Sequence, residues 1–195
     1  GINSNLGCNI EGLTTGFRPP TAAKTFICEF HLGADLIEQH LGSSMHVFLL
    51  DLPKLKFAAL IPKGDYVTLC MLGKQIDVDL VEAFLASPQV TACFPEGSLP
   101  QTVCHCFPRI NVQAAVRPFA DRFVMIGDCG VSRLYKDGIG SAYRTAKAAA
   151  NTAVLEGIAA EDFRRDYWPV CRSIDYDNQL GKLVFAISHL VQKSR

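Results

Sequence analysis

Arg122-Phe123-Val124-Met125-Ile126-Gly127-Asp128-Cys129-Gly130, followed by Asp137-Gly138-Ile139-Gly140-Ser141-Ala142, is the stretch whose reading decides this fold. The run Phe123 to Ile126 is apolar and short, as a buried strand is, and it delivers Gly127 and Asp128 at its end. Gly138 to Leu155 is rich in alanine and predicts the longest helix, opened by Gly138-Ile139-Gly140. A strand, a glycine-containing loop and a helix start in this order aim backbone N–H groups and the positive helix end at one point. Glycines let a ligand approach the backbone closely. An aspartate at a strand tip accepts hydrogen bonds from ribose hydroxyls, as acidic residues do in dinucleotide sites. Gly-x-Gly alone also fits a plain strand-turn-helix connection, and the joined pattern from Arg122 to Ala150 is the more specific signal.

Upstream, Thr25 to His31 and His46 to Leu50 read as strands, with a short helix from Ala34 to Leu41 between them. Phe57 to Ile61 and Tyr66 to Leu72 read as a hairpin across Pro62-Lys63-Gly64-Asp65. Both runs are nearly all apolar, which predicts a sheet covered on both faces. Asp77 is placed to cap a helix over Val78 to Ala86, with Val78, Val81, Phe84 and Leu85 at helical spacing. Val103 to Ile110 and Gln113 to Val116 return to strand composition. Beyond Glu161 the chain reads as helical, with a break at Pro169 and an amphipathic segment from Leu180 to Gln192.

The 195 residues suffice for one large core, or for a core with a smaller helical unit attached. An apolar fraction of 49% is high for a soluble chain and predicts that further polypeptide, a cofactor or a peripheral membrane contact covers part of the surface. Lys plus Arg equals Asp plus Glu at 19 each, so no field favours nucleic acid. The apolar runs are too short to cross a bilayer, and the start lacks a basic, then apolar, leader. Eight cysteines, mostly within apolar runs (Cys28, Cys70, Cys104, Cys106), predict reduced, buried thiols and a cytoplasmic protein. Cys104-His105-Cys106 is a lone cluster without the paired spacing of a zinc site, so no metal is expected.

The Arg122 to Ala142 pattern resembles the second flavin-binding motif of FAD enzymes with the p-hydroxybenzoate hydroxylase fold, and within them the geranylgeranyl reductase family of flavoprotein dehydrogenases. The resemblance implies that Gly127 and Asp128 hold the FAD ribose, and that Gly138, Ile139 and Gly140 supply backbone against the pyrophosphate and flavin ring. Gly1-Ile2-Asn3-Ser4 is similar to the end of the family's Asp-Gly-x-x-Ser motif. Phe57-Ala58-Ala59-Leu60-Ile61-Pro62-Lys63-Gly64 resembles the segment that lines the substrate cavity, which assigns Phe57, Ala59 and Ile61 to the substrate. In the approach loop Tyr135 stands where the family usually has proline.

These readings together predict an α+β chain, a mostly antiparallel substrate-domain sheet with packed helices plus the C-terminal strand-loop-helix of an FAD-binding domain. Residues 1–20 would be a loop left from a missing FAD-binding half, 21–118 the substrate domain, 119–157 the flavin motif and 158–195 the C-terminal helices. The function expected is that of the C-terminal part of an FAD-dependent dehydrogenase or reductase acting on a small apolar or quinone-like substrate. NAD(P)H or another donor would supply electrons, and the fragment alone would be inactive. No catalytic side chain is assigned, because the flavin ring performs the redox chemistry. A monooxygenase of the same fold and a non-catalytic domain with a degenerate flavin loop are the alternatives. Phe30, Phe48, Phe57, Ile61 and Leu69 are expected together over the apolar cavity.

Overall fold

The computed structural model describes residues 16–96, 102–134 and 137–193. Gly1 to Ser4, Tyr135 and Lys136 lie outside the described residues. The chain divides into two compact units, one of Gly1–Ala22 with Arg109–Val184, the other of Ala23–Pro108 with Phe185–Arg195.

The second unit is built on a five-stranded sheet. Its strands are β2 (Phe26–His31), β3 (His46–Phe48), β4 (Leu55–Lys63), β5 (Tyr66–Gly73) and β6 (Thr102–Cys106), following β1 (Thr21–Lys24), in the spatial order β3-β4-β5-β2-β6. Every pairing is antiparallel. Lys63 pairs with Tyr66, so β4 runs through Pro62 and the turn is only Gly64-Asp65. Gly64 takes φ 60°, the left-handed conformation that a tight hairpin turn demands.

Strand alternation sorts the side chains into two faces. Phe26, Cys28, Phe30, Ala58, Leu60, Val67, Leu69 and Met71 point into one core, joined by Ile37, Phe48, Leu80, Val81, Phe84 and Val90. Helix α1 (Ala34–His40) and helix α2 (Val78–Leu85), with the short α3 (Pro88–Thr91), supply the covering layer. Asp77 caps α2 as expected, its Oδ1 accepting from the Leu80 N–H at 3.1 Å. Leu80, rather than the exposed Val78, completes the buried stripe. The expectation that Phe30, Phe48 and Leu69 line a cavity with Phe57 and Ile61 is corrected here. Those three are core, on the face opposite Phe57, Ala59 and Ile61.

Where one strand was expected from Val103 to Ile110, the structure has β6 and β7 (Arg109–Gln113), separated at Phe107-Pro108. Proline has no N–H to continue a ladder. All five β6 residues are exposed, so Cys104 and Cys106 are not the buried thiols that their apolar neighbours suggested. A sheet edge lacks neighbours on one side, and sequence cannot tell an edge from a centre.

In the other unit β8 (Phe119–Ala120) and β9 (Phe123–Val124) form a small hairpin. One 3₁₀ turn, Gly127–Cys129, leads to α4 (Gly138–Asn151). A π-type turn at Thr152–Glu156, a short helical turn at Ala160–Asp162 and a second π-type turn at Phe163–Tyr167 precede α5 (Trp168–Lys193). Helical turns run without a gap from Ala160 through Pro169, so the break expected at Pro169 is instead a change from a π-type turn to α-helix at Trp168, just before the residue that lacks an N–H. Phe119, Val131, Ala149, Phe163, Tyr167, Cys171 and Ile174 form this unit's core. Among the described residues no helix is long and apolar enough to cross a membrane.

Candidate functional site

The site is assembled from the end of β9 outward. Met125 is buried, its N–H donating to the Pro118 carbonyl at 2.7 Å and its own carbonyl accepting from the buried Tyr167 hydroxyl. The backbone then turns at Gly127, whose φ of +58° suits glycine. A β-carbon at Gly127 would stand 3.1 Å from the Ala142 methyl, so glycine also allows the turn to lie against α4.

Three neighbours pin this turn. The Gly127 N–H donates to Thr145 Oγ1 at 2.9 Å, inside the protein. That hydroxyl in turn donates toward the Ser141 and Ala142 carbonyls, at 2.9 and 3.1 Å. Asn111 Nδ2 donates to the Asp128 carbonyl at 2.9 Å. The Ala115 N–H donates to the Gly130 carbonyl at 3.0 Å.

Asp128 itself is exposed and faces the helix start: its Oδ1 lies 3.8 Å from the point where a β-carbon on Gly138 would stand. β9 ends at Val124, so Asp128 stands in the 3₁₀ turn beyond it rather than at the strand tip, and from there its carboxylate and the start of α4 converge. Ile139 is 89% exposed, so its side chain is free of the core and only its backbone serves the helix mouth.

The mouth carries its own anion. Asp137 caps α4 from a left-handed backbone conformation, with φ 50° and ψ 44°. Its Oδ1 accepts from the Gly140 N–H at 3.0 Å, and its carbonyl accepts from Ser141 N–H at the same distance. The amides of Gly138 and Ile139 are the two first-turn donors that the helix does not use. Arg133 balances the cap, its guanidinium 3.6 Å from Asp137 and 3.3 Å from Asp177.

A carboxylate already at the helix end offsets the half charge of the macrodipole, about +0.5 e. With Asp128 beside it, this point attracts hydroxyl and N–H donors more than phosphate. For the sugar part of a dinucleotide the residues fit: an exposed carboxylate acceptor, close-approach glycines, and one buried acceptor, Asn111 Oδ1, without a partner among the described residues. For a pyrophosphate the helix mouth is the weaker half of the site.

The approach loop is strapped from α5. Asn178, buried, accepts from the Leu134 N–H at 2.7 Å and donates to the Ser132 carbonyl at 2.8 Å. The Arg133 N–H donates to Ser141 Oγ at 3.1 Å. Asn111, Ser141, Thr145 and Asn178 were invisible as site residues in sequence. They lie within β7, α4 and α5, where a lone polar residue reads as an ordinary strand or helix position, and only contacts beyond their own element give these four a role.

Phe57, Ala59 and Ile61 share the face of the second unit's sheet opposite its core. Ala59 is buried, Ile61 half-buried, and Phe57 stacks on Phe185 with ring centroids 5.6 Å apart and planes 10° apart. In the same cross-strand row as Ile61 lie Thr68, Glu29 and Cys104. Glu29 accepts from Lys63 Nζ at 3.3 Å and from Thr68 Oγ1 at 3.4 Å, so this face carries one held carboxylate among apolar side chains. Among the described residues no group of three or more His, Cys, Asp or Glu is placed to hold a metal.

No protein-family model matches the sequence, and no curated protein matches it. A solved structure does: CmlS, a flavin-dependent halogenase, aligns with a TM-score of 0.50 at 13% identity, over 95% of this chain and 34% of its own. At that identity the likeness shows the fold alone. The chain spans about a third of that protein's length. The mixed α/β architecture with antiparallel sheets and packed helices agrees with it.

Proposed function

We propose that this chain is the C-terminal part of an FAD-dependent oxidoreductase acting on a small apolar or quinone-like substrate. One observation carries the reading: the Asp128 carboxylate and the glycine-rich start of α4 meet at one point, held there by contacts from β7 and α4. Asp128 would accept from a sugar hydroxyl, and the free amides of Gly138 and Ile139 would face an electron-rich edge of the cofactor. When bound, the flavin supplies the hydride or electron transfer, while the chain orients it and excludes water. Phe57, Ala59 and Ile61 would offer an apolar contact to substrate. The finer assignment, to a geranylgeranyl reductase-like dehydrogenase, rests on the resemblance of the Gly-Asp and Gly-Ile-Gly segments. NAD(P)H or another donor is the proposed source of electrons and the cytoplasm the proposed location.

By this reading the chain alone binds FAD weakly, because the unit that cradles the ADP half is not part of it. A second reading, a non-catalytic domain with a degenerate flavin loop, is favoured by the Asp137 cap, which takes one helix-mouth amide. Purification at full encoded length separates the two. A yellow protein whose colour bleaches under an anaerobic reductant and returns with air supports the flavoenzyme; a colourless protein that takes up no added FAD supports the degenerate loop. Hydroxylated product formed with oxygen would instead indicate a monooxygenase.

A further inference from the structure

We propose that Asn111 is a positioning residue of the dinucleotide site, setting the Asp128 peptide with one end of its amide and receiving a sugar hydroxyl with the other. The inference rests on the flavin reading of the Gly127–Gly130 turn and names a residue that reading did not include.

Asn111 lies on β7, 5% exposed. Its Nδ2 donates to the Asp128 carbonyl at 2.9 Å, while its Oδ1 is buried and has no partner among the described residues. The amide orientation is fixed by chemistry: turned over, it would set oxygen against the Asp128 carbonyl oxygen. Of the three contacts that pin the turn, those from Thr145 and Ala115 use groups that are satisfied on both sides. Asn111 alone among these brings a second, unused acceptor.

A buried acceptor left unpaired is costly, and such exceptions call for a reason. Scaffolding needs only the Nδ2 bond. The Oδ1 belongs to the residue that bonds the Asp128 backbone carbonyl, so the proposal assigns to it a second hydroxyl, or a water bound to that hydroxyl, of a ligand whose first hydroxyl donates to the Asp128 carboxylate. A vicinal diol or polyol, as in ribose or a ribityl chain, carries adjacent donors of the kind this proposal needs. Reaching the sealed oxygen requires the turn to yield slightly, and glycines at positions 127 and 130 bound the segment that would yield.

The test compares wild type, Asn111→Ala and the volume-retaining Asn111→Leu at full encoded length, with Thr25→Val as a control that removes a buried side-chain bond to Pro108 in the other unit. FAD, riboflavin and ADP-ribose are titrated by calorimetry, the absorption spectrum of bound flavin is recorded, and thermal unfolding is followed without ligand. The expected result is at least tenfold weaker FAD binding in both Asn111 variants, with a shifted flavin band in whatever still binds. Thr25→Val should lose stability with FAD affinity unchanged. Loss confined to riboflavin assigns the hydroxyl to the ribityl chain, and loss confined to ADP-ribose assigns it to the ribose. Wild-type affinity and spectrum in Asn111→Leu would overturn the inference while leaving the flavin reading intact; a wild type that binds no flavin would overturn both.

Discussion

The side chain of Asn178 on α5 bonds the backbone on both sides of Arg133, taking the Leu134 N–H at 2.7 Å and giving to the Ser132 carbonyl at 2.8 Å. One buried amide thereby fixes the loop that leads to the helix start, in place of the regular secondary structure the loop lacks. Asn178→Ala should leave both backbone groups unpaired and cost about 2–4 kcal/mol, read from urea unfolding. Asn178→Asp keeps the acceptor but loses the donor and buries a charge. It should therefore be the less stable of the two at neutral pH and recover as acid neutralises it.

Thr145 holds the other side of the site through its hydroxyl alone. Thr145→Val preserves the shape and strands the buried Gly127 N–H, a loss of about 1–3 kcal/mol. Thr145→Ser keeps the hydroxyl and should cost about 1 kcal/mol, for one buried methyl. Equal stability of the Val and Ser variants by calorimetry would show that the bond to Gly127 contributes little.

Cysteine chemistry should divide the chain. Cys104 and Cys106 are exposed on β6, whereas Cys28, Cys93 and Cys171 are buried. Burial raises the Cys28 and Cys93 thiols and pushes Cys171 up to about 12, and only the thiolate attacks. Alkylation of the native protein at pH 8 followed by mass mapping should modify Cys104 and Cys106 first. The three buried thiols should react only after denaturation. Early labelling of Cys171 would contradict the packing of this core.

Asp77 supplies a pH-dependent part of stability. The Leu80 N–H, and then Lys54 at 3.3 Å, hold its carboxyl below the usual value of 3.8. A carboxylate lowered on folding stabilises fully above its unfolded value, and the contribution is lost as pH falls through the folded one. Asp77→Ala should lower the urea midpoint by a similar amount from pH 7 down to about pH 5, with the gap to wild type closing below 3.8. A gap that widened in acid would reverse the assigned sign.

Sequence by itself determined the elements whose cause is local. The apolar hairpin around Gly64-Asp65, the Asp77 cap and the strand-loop-helix from Arg122 to Asn151 follow from backbone preference and periodicity, which a linear reading contains. It also located Asp128 and Gly138 as the residues to watch. Tertiary structure decided everything that needs a partner distant in the chain. It put β6 at a sheet edge with its cysteines exposed, sent Phe30, Phe48 and Leu69 to the face opposite Phe57, and placed Asn111, Thr145 and Asn178 as the pins of the loop. Alternation says that successive strand residues face opposite ways, but only the neighbours of the strand decide which way is inward. A polar side chain becomes a structural bond only when packing removes water and offers a specific backbone group in its place.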